Sequence, residues 1–427
     1  MVQRLTGLLG LFVLLLAAYV LSRHRGRIRW RIVFGGLVMQ VVLALMVLRV
    51  PLVRDAFTLV ADAARRVLSF TDAGATFIFG EQLYAEKAIG FIFAFHVLPT
   101  IIFFASLMAV MYHLGVMQLV VRAMAYVMSR FMGVSGAESL AMAANVFVGQ
   151  TEAPLVVRPY VPLMTQSELM TLMVGGFATI AGGVFAAYVK MLGGDDPAAQ
   201  VEFAKHLLTA SVMSAPAAFV IAKIMMPEVE ESQTAGKVHA SFEKTTINVL
   251  DAATTGATDG LRLAANVGAM LLALIALIAG VDYLLGWFGD LAGIRSILNT
   301  LGIETLSLKS ILGLLFSPLA YLMGVAGEDV RTFGSLLGEK IVLTEFVAYN
   351  SLGEVMRSST PMQVRSEIIA TYALCGFANF GSIAIQLGGI GGIAPQRRAD
   401  LARLGLRAMI GGAMASFMTA TIAGMIV

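Results

Sequence analysis

Residues Ala144–Tyr160, ANVFVGQTEAPLVVRPY, are apolar at both ends but carry Gly149-Gln150-Thr151-Glu152-Ala153-Pro154 in the middle. A single bilayer-crossing helix would hold Glu152 in hydrocarbon at a cost of about 2.5–3.5 kcal/mol. Pro154 has no backbone donor and disfavours a helical conformation at Ala153. The stretch is therefore predicted to be two short helices meeting at a polar tip. Such a tip is tolerated at membrane depth only where protein or a water-filled cavity surrounds it.

The rest of the chain supplies the membrane context. Of 427 residues, 58% are hydrophobic and 13% charged, against about a quarter charged in soluble domains. Mean hydropathy is +0.83, so an all-α integral membrane protein is expected. A single cysteine, Cys375, excludes an internal disulfide framework and a cysteine metal cluster. Mapped onto loops rather than tails, the net charge of +3 gives no reason to expect a nucleic-acid partner. No extramembrane stretch is long enough for a soluble catalytic domain, which argues against an enzyme.

The first expected span is Leu5–Leu21, followed by five arginines between Ser22 and Arg31. A secretory signal would place its basic residues before the apolar core, so this is a retained helix. The positive-inside rule puts the basic loop in the cytoplasm and the N-terminus outside. Further spans are read at Ile32–Leu48, Ala88–Met111, Leu169–Leu192, Phe203–Met226, Leu261–Phe288, Glu367–Ile390 and Leu404–Val427. Arg54–Phe70 is amphipathic and expected on the outer surface. Met117–Met132 and Leu306–Val325, the latter broken at Pro318, are expected at interfaces. Ser335–Glu354 is a second interrupted hairpin, Pro227–Gly260 a solvated polar stretch, and Ala394–Arg403 a basic cytoplasmic loop. Eight transmembrane helices plus two re-entrant helical hairpins result, with both termini outside. Trp30 and Trp287 are read as interfacial anchors, and His96 and His113 as packing residues.

Gly176-Phe-Ala-Thr-Ile-Ala-Gly182 and Gly376-Phe-Ala-Asn-Phe-Gly-Ser382 share one pattern, and each follows a hairpin with Thr-Glu at its apex, Thr151-Glu152 and Thr344-Glu345. The order interfacial helix, hairpin, broken span, span occurs at 117–226 and again at 306–427, with inverted topology. Residues 1–116 and 227–305 would then form a scaffold of spans 1–3 with the outer interfacial helix, and the cytoplasmic loop with span 6. Inverted repeats with interrupted helices are the architecture of secondary transporters, which bind solute near the midplane. A broken helix exposes N–H groups at one new end and C=O groups at the other. With Asn145, Gln150, Thr151, Glu152 and Thr179 from the first repeat and Glu345, Asn379 and Ser382 from the second, those ends suit a small cation and a neutral polar solute. No arginine or lysine lies at the centre, so a phosphate ester is not expected.

At Gly149-Gln-Thr-Glu-Ala-Pro-Leu155, Thr344-Glu-Phe-Val-Ala-Tyr349 and Cys375-Gly-Phe-Ala-Asn379 with Ser382, the chain resembles the concentrative nucleoside transporter family in its bacterial eight-span form. The resemblance implies nucleoside import across a bacterial inner membrane by homotrimers whose transport domains move as elevators. It implies that Gln150, Thr151 and Glu152 face the nucleobase with Val184 and Phe377, and that Glu345, Asn379 and Ser382 bind the ribose hydroxyls. It also implies a Na⁺ held by Asn145 and Thr179 with carbonyls near Val148 and Ile180. Thr344 stands where the family commonly has Asn and loses an amide's two-point reach. A desolvated carboxylate can carry a proton, so H⁺ symport through Glu152 or Glu345 is the alternative to Na⁺. A passive channel or facilitator is the alternative to a symporter. A membrane hydrolase ranks last, for want of a catalytic constellation.

Overall fold

The computed structural model describes residues 2–81, 92–194, 196–233, 246–300 and 303–427. The expected start of the third span at 88–91, Asp195 of the acidic loop, and 234–245 of the polar stretch lie outside the described residues. Every regular element among the described residues is helical.

Helices α1 (Val2–Val20) and α2 (Trp30–Arg49) precede the amphipathic α3 (Pro51–Phe79), α4 (Leu98–His113) and α5 (Val116–Met132). The first interrupted segment comprises α6 (Gly136–Asn145) and the one-turn α7 (Ala153–Val156). It leads to α8 (Gln166–Ala178), α9 (Gly182–Gly193) and the long α10 (Pro197–Met225). Helices α11 (Val249–Gly289), α12 (Ala292–Thr300) and α13 (Leu308–Leu322) come next. The second segment, α14 (Val330–Val342) and α15 (Glu345–Met356), leads to α16 (Val364–Leu374), α17 (Phe380–Ile393) and α18 (Arg398–Ile426).

Seven helical stretches among the described residues are long and apolar enough to cross a membrane. The expected span Glu367–Ile390 is divided by residues 375–379 into the shorter α16 and α17. The most apolar windows of α10 and α18 are 89% and 83% buried, that of α11 only 17%. Helices α10 and α18 therefore lie in the core of the protein, and α11 presents most of its apolar surface outward. Gln40 on α2, fully buried, is tied to that core: its Nε2 donates to the Met213 carbonyl at 3.0 Å and to Thr419 Oγ1 at 3.2 Å.

Three expectations about boundaries change. Pro318 does not break its segment, because α13 runs through it. A missing hydrogen bond is tolerated where neighbouring helices hold the backbone, and Gly334 of α14 packs against the Gly313 carbonyl and Ser317 backbone there. Most of the expected loop 394–403 is the first part of α18, whose Arg397 is turned back onto the Pro162 carbonyl at 3.1 Å. The last part of the polar stretch is helical as well, since Asn248 caps α11 through the Asp251 N–H at 2.9 Å. At 41 residues, α11 is roughly 60 Å long, about twice the hydrocarbon thickness.

Glycine sets one of the close helix contacts. Gly256 and Gly260 of α11, four apart on one face, lie so near Ala105, Ile102 and Ala109 of α4 that a Cβ on either would fall within 2.8 Å of them. This is the small-residue packing by which helices associate in lipid. On the opposite flank, Lys223 at the end of α10 pairs with Glu138 and donates to Ser167 Oγ at 2.9 Å. It joins the base of the first interrupted segment to α8. Glu138 itself closes a capping box with Ser135, so one carboxylate ends a helix and neutralises a buried ammonium.

Gly376, between α16 and α17, has φ +128°, and a Cβ there would stand 2.7 Å from the Phe177 carbonyl oxygen. Gly376→Ala is expected to cost about 1–3 kcal/mol through backbone strain, read as a lower melting temperature of the protein in detergent micelles.

Candidate functional site at the helix breaks

The polar residues singled out from the sequence fall into three neighbourhoods. The first is at the break of α8. The Gly182 N–H donates to the Phe147 carbonyl at 2.9 Å, which fixes the loop after α6 against the gap between α8 and α9. Asn145, Val148, Thr179 and Ile180 are all buried there. A Cβ on Gly175 would stand 3.2 Å from Asn145 Nδ2, so the Asn145 amide lies against the last turn of α8. Neither polar atom of that amide has a hydrogen-bond partner. Burying an amide in this way is unfavourable unless something else completes it. Thr179 donates its hydroxyl to the Gly175 carbonyl at 2.9 Å, which leaves the hydroxyl oxygen's lone pairs available. Oxygen ligands at the carbonyl end of a helix fit Na⁺ and no softer ion.

The second neighbourhood is at the break between α16 and α17. Asn379 caps α17, its Oδ1 accepting from the Ser382 N–H at 2.9 Å. Its Nδ2 donates to Glu345 Oε2 at 2.9 Å. The other carboxylate oxygen of Glu345 accepts from the Tyr188 hydroxyl at 3.0 Å. Glu345 is the first residue of α15 and only 3% exposed, so the helix N-terminus also favours its negative charge. A carboxylate offers about four acceptor positions, and two of these are occupied by protein donors. Phe377 is half-buried beside it, and its carbonyl accepts from the Asn379 N–H at 2.9 Å. Thr344 caps α15, its hydroxyl accepting from the Val347 N–H at 3.4 Å.

The third neighbourhood is the tip of the first interrupted segment. Gln150 Oε1 accepts from Gln386 Nε2 at 3.0 Å, and the same nitrogen lies 3.1 Å from the Met173 carbonyl. The Thr151 methyl lies against Gly389, with 2.7 Å between it and the place of a Cβ there. Both tips therefore converge on α17, the first at Gln386 and Gly389, the second at Asn379. The two carboxylates differ in setting. Glu152 is exposed on the wall of a cavity of about 390 Å³, shared with Phe147, Val148, Ala181, Tyr112 and Asp259. Glu345 is enclosed and is not among that cavity's lining residues. Val184 is buried on α9, one turn before Tyr188.

Sequence reasoning missed Tyr188 and Gln386. Both were within reach of a spacing argument: they follow Val184 and Ser382 by four positions, on the same helix faces. Lys340 of α14 is fully buried and donates to the Ala373 carbonyl at 2.7 Å.

Long apolar helices with polar groups gathered where those helices break define a multi-pass membrane transporter, not an enzyme. Family models described as Na⁺ dependent nucleoside transporter N-terminus and C-terminus match residues 9–82 and 206–424, and one described as Nucleoside recognition matches 94–195. The chain belongs to the concentrative, Na⁺ dependent nucleoside transporter family. It is 44% identical to an uncharacterized transporter of Haemophilus influenzae, over 99% of this chain and 98% of that protein. It is 40% identical to the sodium/nucleoside cotransporter 1 of Mus musculus, over 99% of this chain and 64% of that protein, so it spans less than two thirds of this mammalian relative. The solved structure of CNTnw in an inward-facing, substrate-bound state superposes with a TM-score of 0.90 at 42% identity, covering 100% of this chain and 98% of that one. A variant of CNTnw in an outward-facing state gives 0.89 at 40% identity, over 99% and 97%.

Gln386→Ala is expected to release the first tip, seen as faster hydrogen exchange of the amides of residues 149–153 with little change at α10.

Proposed function

We propose that this protein is a symporter that imports nucleosides with Na⁺ across a bacterial inner membrane. The observation that carries the proposal is the enclosed Glu345 carboxylate, held by Asn379 and Tyr188 beside the break of one helix. It is joined through α17 to a second break where the Asn145 amide is buried and unpaired. Glu345 with Asn379 and Ser382 receives the ribose hydroxyls, since a carboxylate accepting from vicinal hydroxyls makes charge-assisted bonds. Gln150, Thr151 and Glu152 face the base, with Val184 and Phe377 as its apolar walls. Asn145 and Thr179, with carbonyls of Val148 and Ile180, hold the cation. When bound, Na⁺ supplies the positive charge that completes these oxygens and fixes the first tip against α8. Family membership supports Na⁺ as the coupling ion.

The reading assigns eight spans and two re-entrant hairpins in an inverted repeat, with α16 and α17 together as one broken span. Residues 117–226 and 306–427 form the transport repeats; 1–116 and 227–305 form the scaffold. The apolar outward face of α11 suits lipid or neighbouring protomers of a homotrimer. The cavity bounded by Glu152 on one side and by α4 and α11 on the other lies between transport and scaffold parts. That is where an elevator-type movement would slide. Both termini are assigned outside, in keeping with the arginine-rich loop after α1.

Uptake of a labelled nucleoside panel into proteoliposomes, with Na⁺ and H⁺ gradients imposed separately, tests the proposal. Accumulation driven by Na⁺ is expected; equilibration without accumulation would make the protein a facilitator, and accumulation that follows pH alone would make H⁺ the coupling ion. Glu345→Gln is expected to weaken nucleoside binding by about 1.5–3 kcal/mol, the contribution of hydrogen bonds to a charged group, while the protein still folds. Asn145→Ala is expected to raise the Na⁺ concentration for half-maximal uptake more than it lowers the rate at saturation.

A further inference from the structure

We infer that Lys340 is a tethered cation. In the second half of the chain its ammonium takes the place at a broken helix end that the first half leaves for a mobile ion, so that only the first half binds Na⁺. This rests on the reading of Asn145 and Thr179 as the ion site.

The two halves offer comparable settings. Gly176-Phe-Ala-Thr179 and Gly376-Phe-Ala-Asn379 mark the two breaks, the first run closing α8 and the second following the end of α16. Asn145 and Lys340 each stand in the last turn of the first helix of an interrupted segment, α6 and α14. Each reaches the carbonyl end of the broken helix beside it. Asn145 lies against Gly175 with neither amide atom bonded. Lys340 donates to the carbonyl of Ala373, the penultimate residue of α16, at 2.7 Å.

The carbonyl end of a helix carries roughly half a negative charge, so each break attracts a positive one. An uncompensated ammonium is among the costliest groups to bury, yet Lys340 is fully buried. Two groups face it: the Ala373 carbonyl, 2.7 Å from its Nζ, and the face of the Phe417 ring 5.4 Å away. A lysine stem cannot leave during a transport cycle. The second half therefore has its countercharge built in, and the first half, with only the neutral Asn145 amide near the end of α6, takes its countercharge from solution.

Melting curves of the full-length protein in detergent, without nucleoside, test this. Na⁺ is titrated against choline at constant ionic strength. Stabilisation by a ligand grows with the logarithm of its concentration, and two bound ions about double that slope. The unsubstituted protein should show the slope of one ion. Lys340→Gln keeps a donor for Ala373 but removes the charge, and should show about twice the slope at high Na⁺. Lys340→Arg, which keeps the charge, should retain the slope of one ion. A Lys340→Gln slope equal to that of the unsubstituted protein would overturn the inference. If Lys340→Gln is folded only in high Na⁺, the inference stands; if it folds in neither salt, the lysine is a structural strut and the inference fails. An unsubstituted protein indifferent to Na⁺ counts instead against the Asn145 site, and so against the proposed coupling, whatever Lys340→Gln does.

Discussion

A helix that stops inside a bilayer leaves backbone groups that lipid cannot satisfy. The polar groups at the two breaks are arranged around that constraint. At the end of α8 the Thr179 hydroxyl turns back to the Gly175 carbonyl, and the first N–H of α9 is taken by Phe147. At the start of α17 the Asn379 side chain caps the new N-terminus and uses its other end to hold Glu345. The groups proposed to receive a solute are thus the same groups that satisfy the interruptions. Removing one disturbs structure and recognition together.

The enclosure of Glu345 and the exposure of Glu152 divide two chemically identical groups into different duties. Glu345 is oriented by two protein donors and the start of a helix, so its remaining acceptor positions point in set directions. Glu152 borders an open cavity, where water competes for it and its side chain is less constrained. A rigid acceptor suits discrimination of hydroxyl geometry, and a hydrated one suits contact with a base edge that must be gripped and released.

The interruptions were legible because they violate the composition around them. Gly149-Gln-Thr-Glu-Ala-Pro154, and the two Gly-Phe-Ala runs after Thr-Glu, place donors, carboxylates and helix breakers where lipid tolerates few alternatives. Boundaries set by tertiary contact were less legible. Pro318 reads as a breaker, but the close approach of Gly334 holds α13 together through it. The charges at 394–403 read as a loop, but Arg397 spends its guanidinium on carbonyls of another segment while the helix begins beside it. Tyr188 and Gln386 went unseen because each is one polar residue in an apolar helix. Only the helical repeat from Val184 and Ser382 points to them.

The amide of Gln386 donates to that of Gln150 across the first tip. If the first tip faces the base, as proposed, this amide pair is a latch that a solute would have to open. A guest must displace an amide with something that hydrogen-bonds equally well, and a purely greasy intruder would leave Gln150 and Gln386 facing one another undisturbed. On that reading, selectivity against apolar compounds would arise from what they fail to unfasten, before any question of fit.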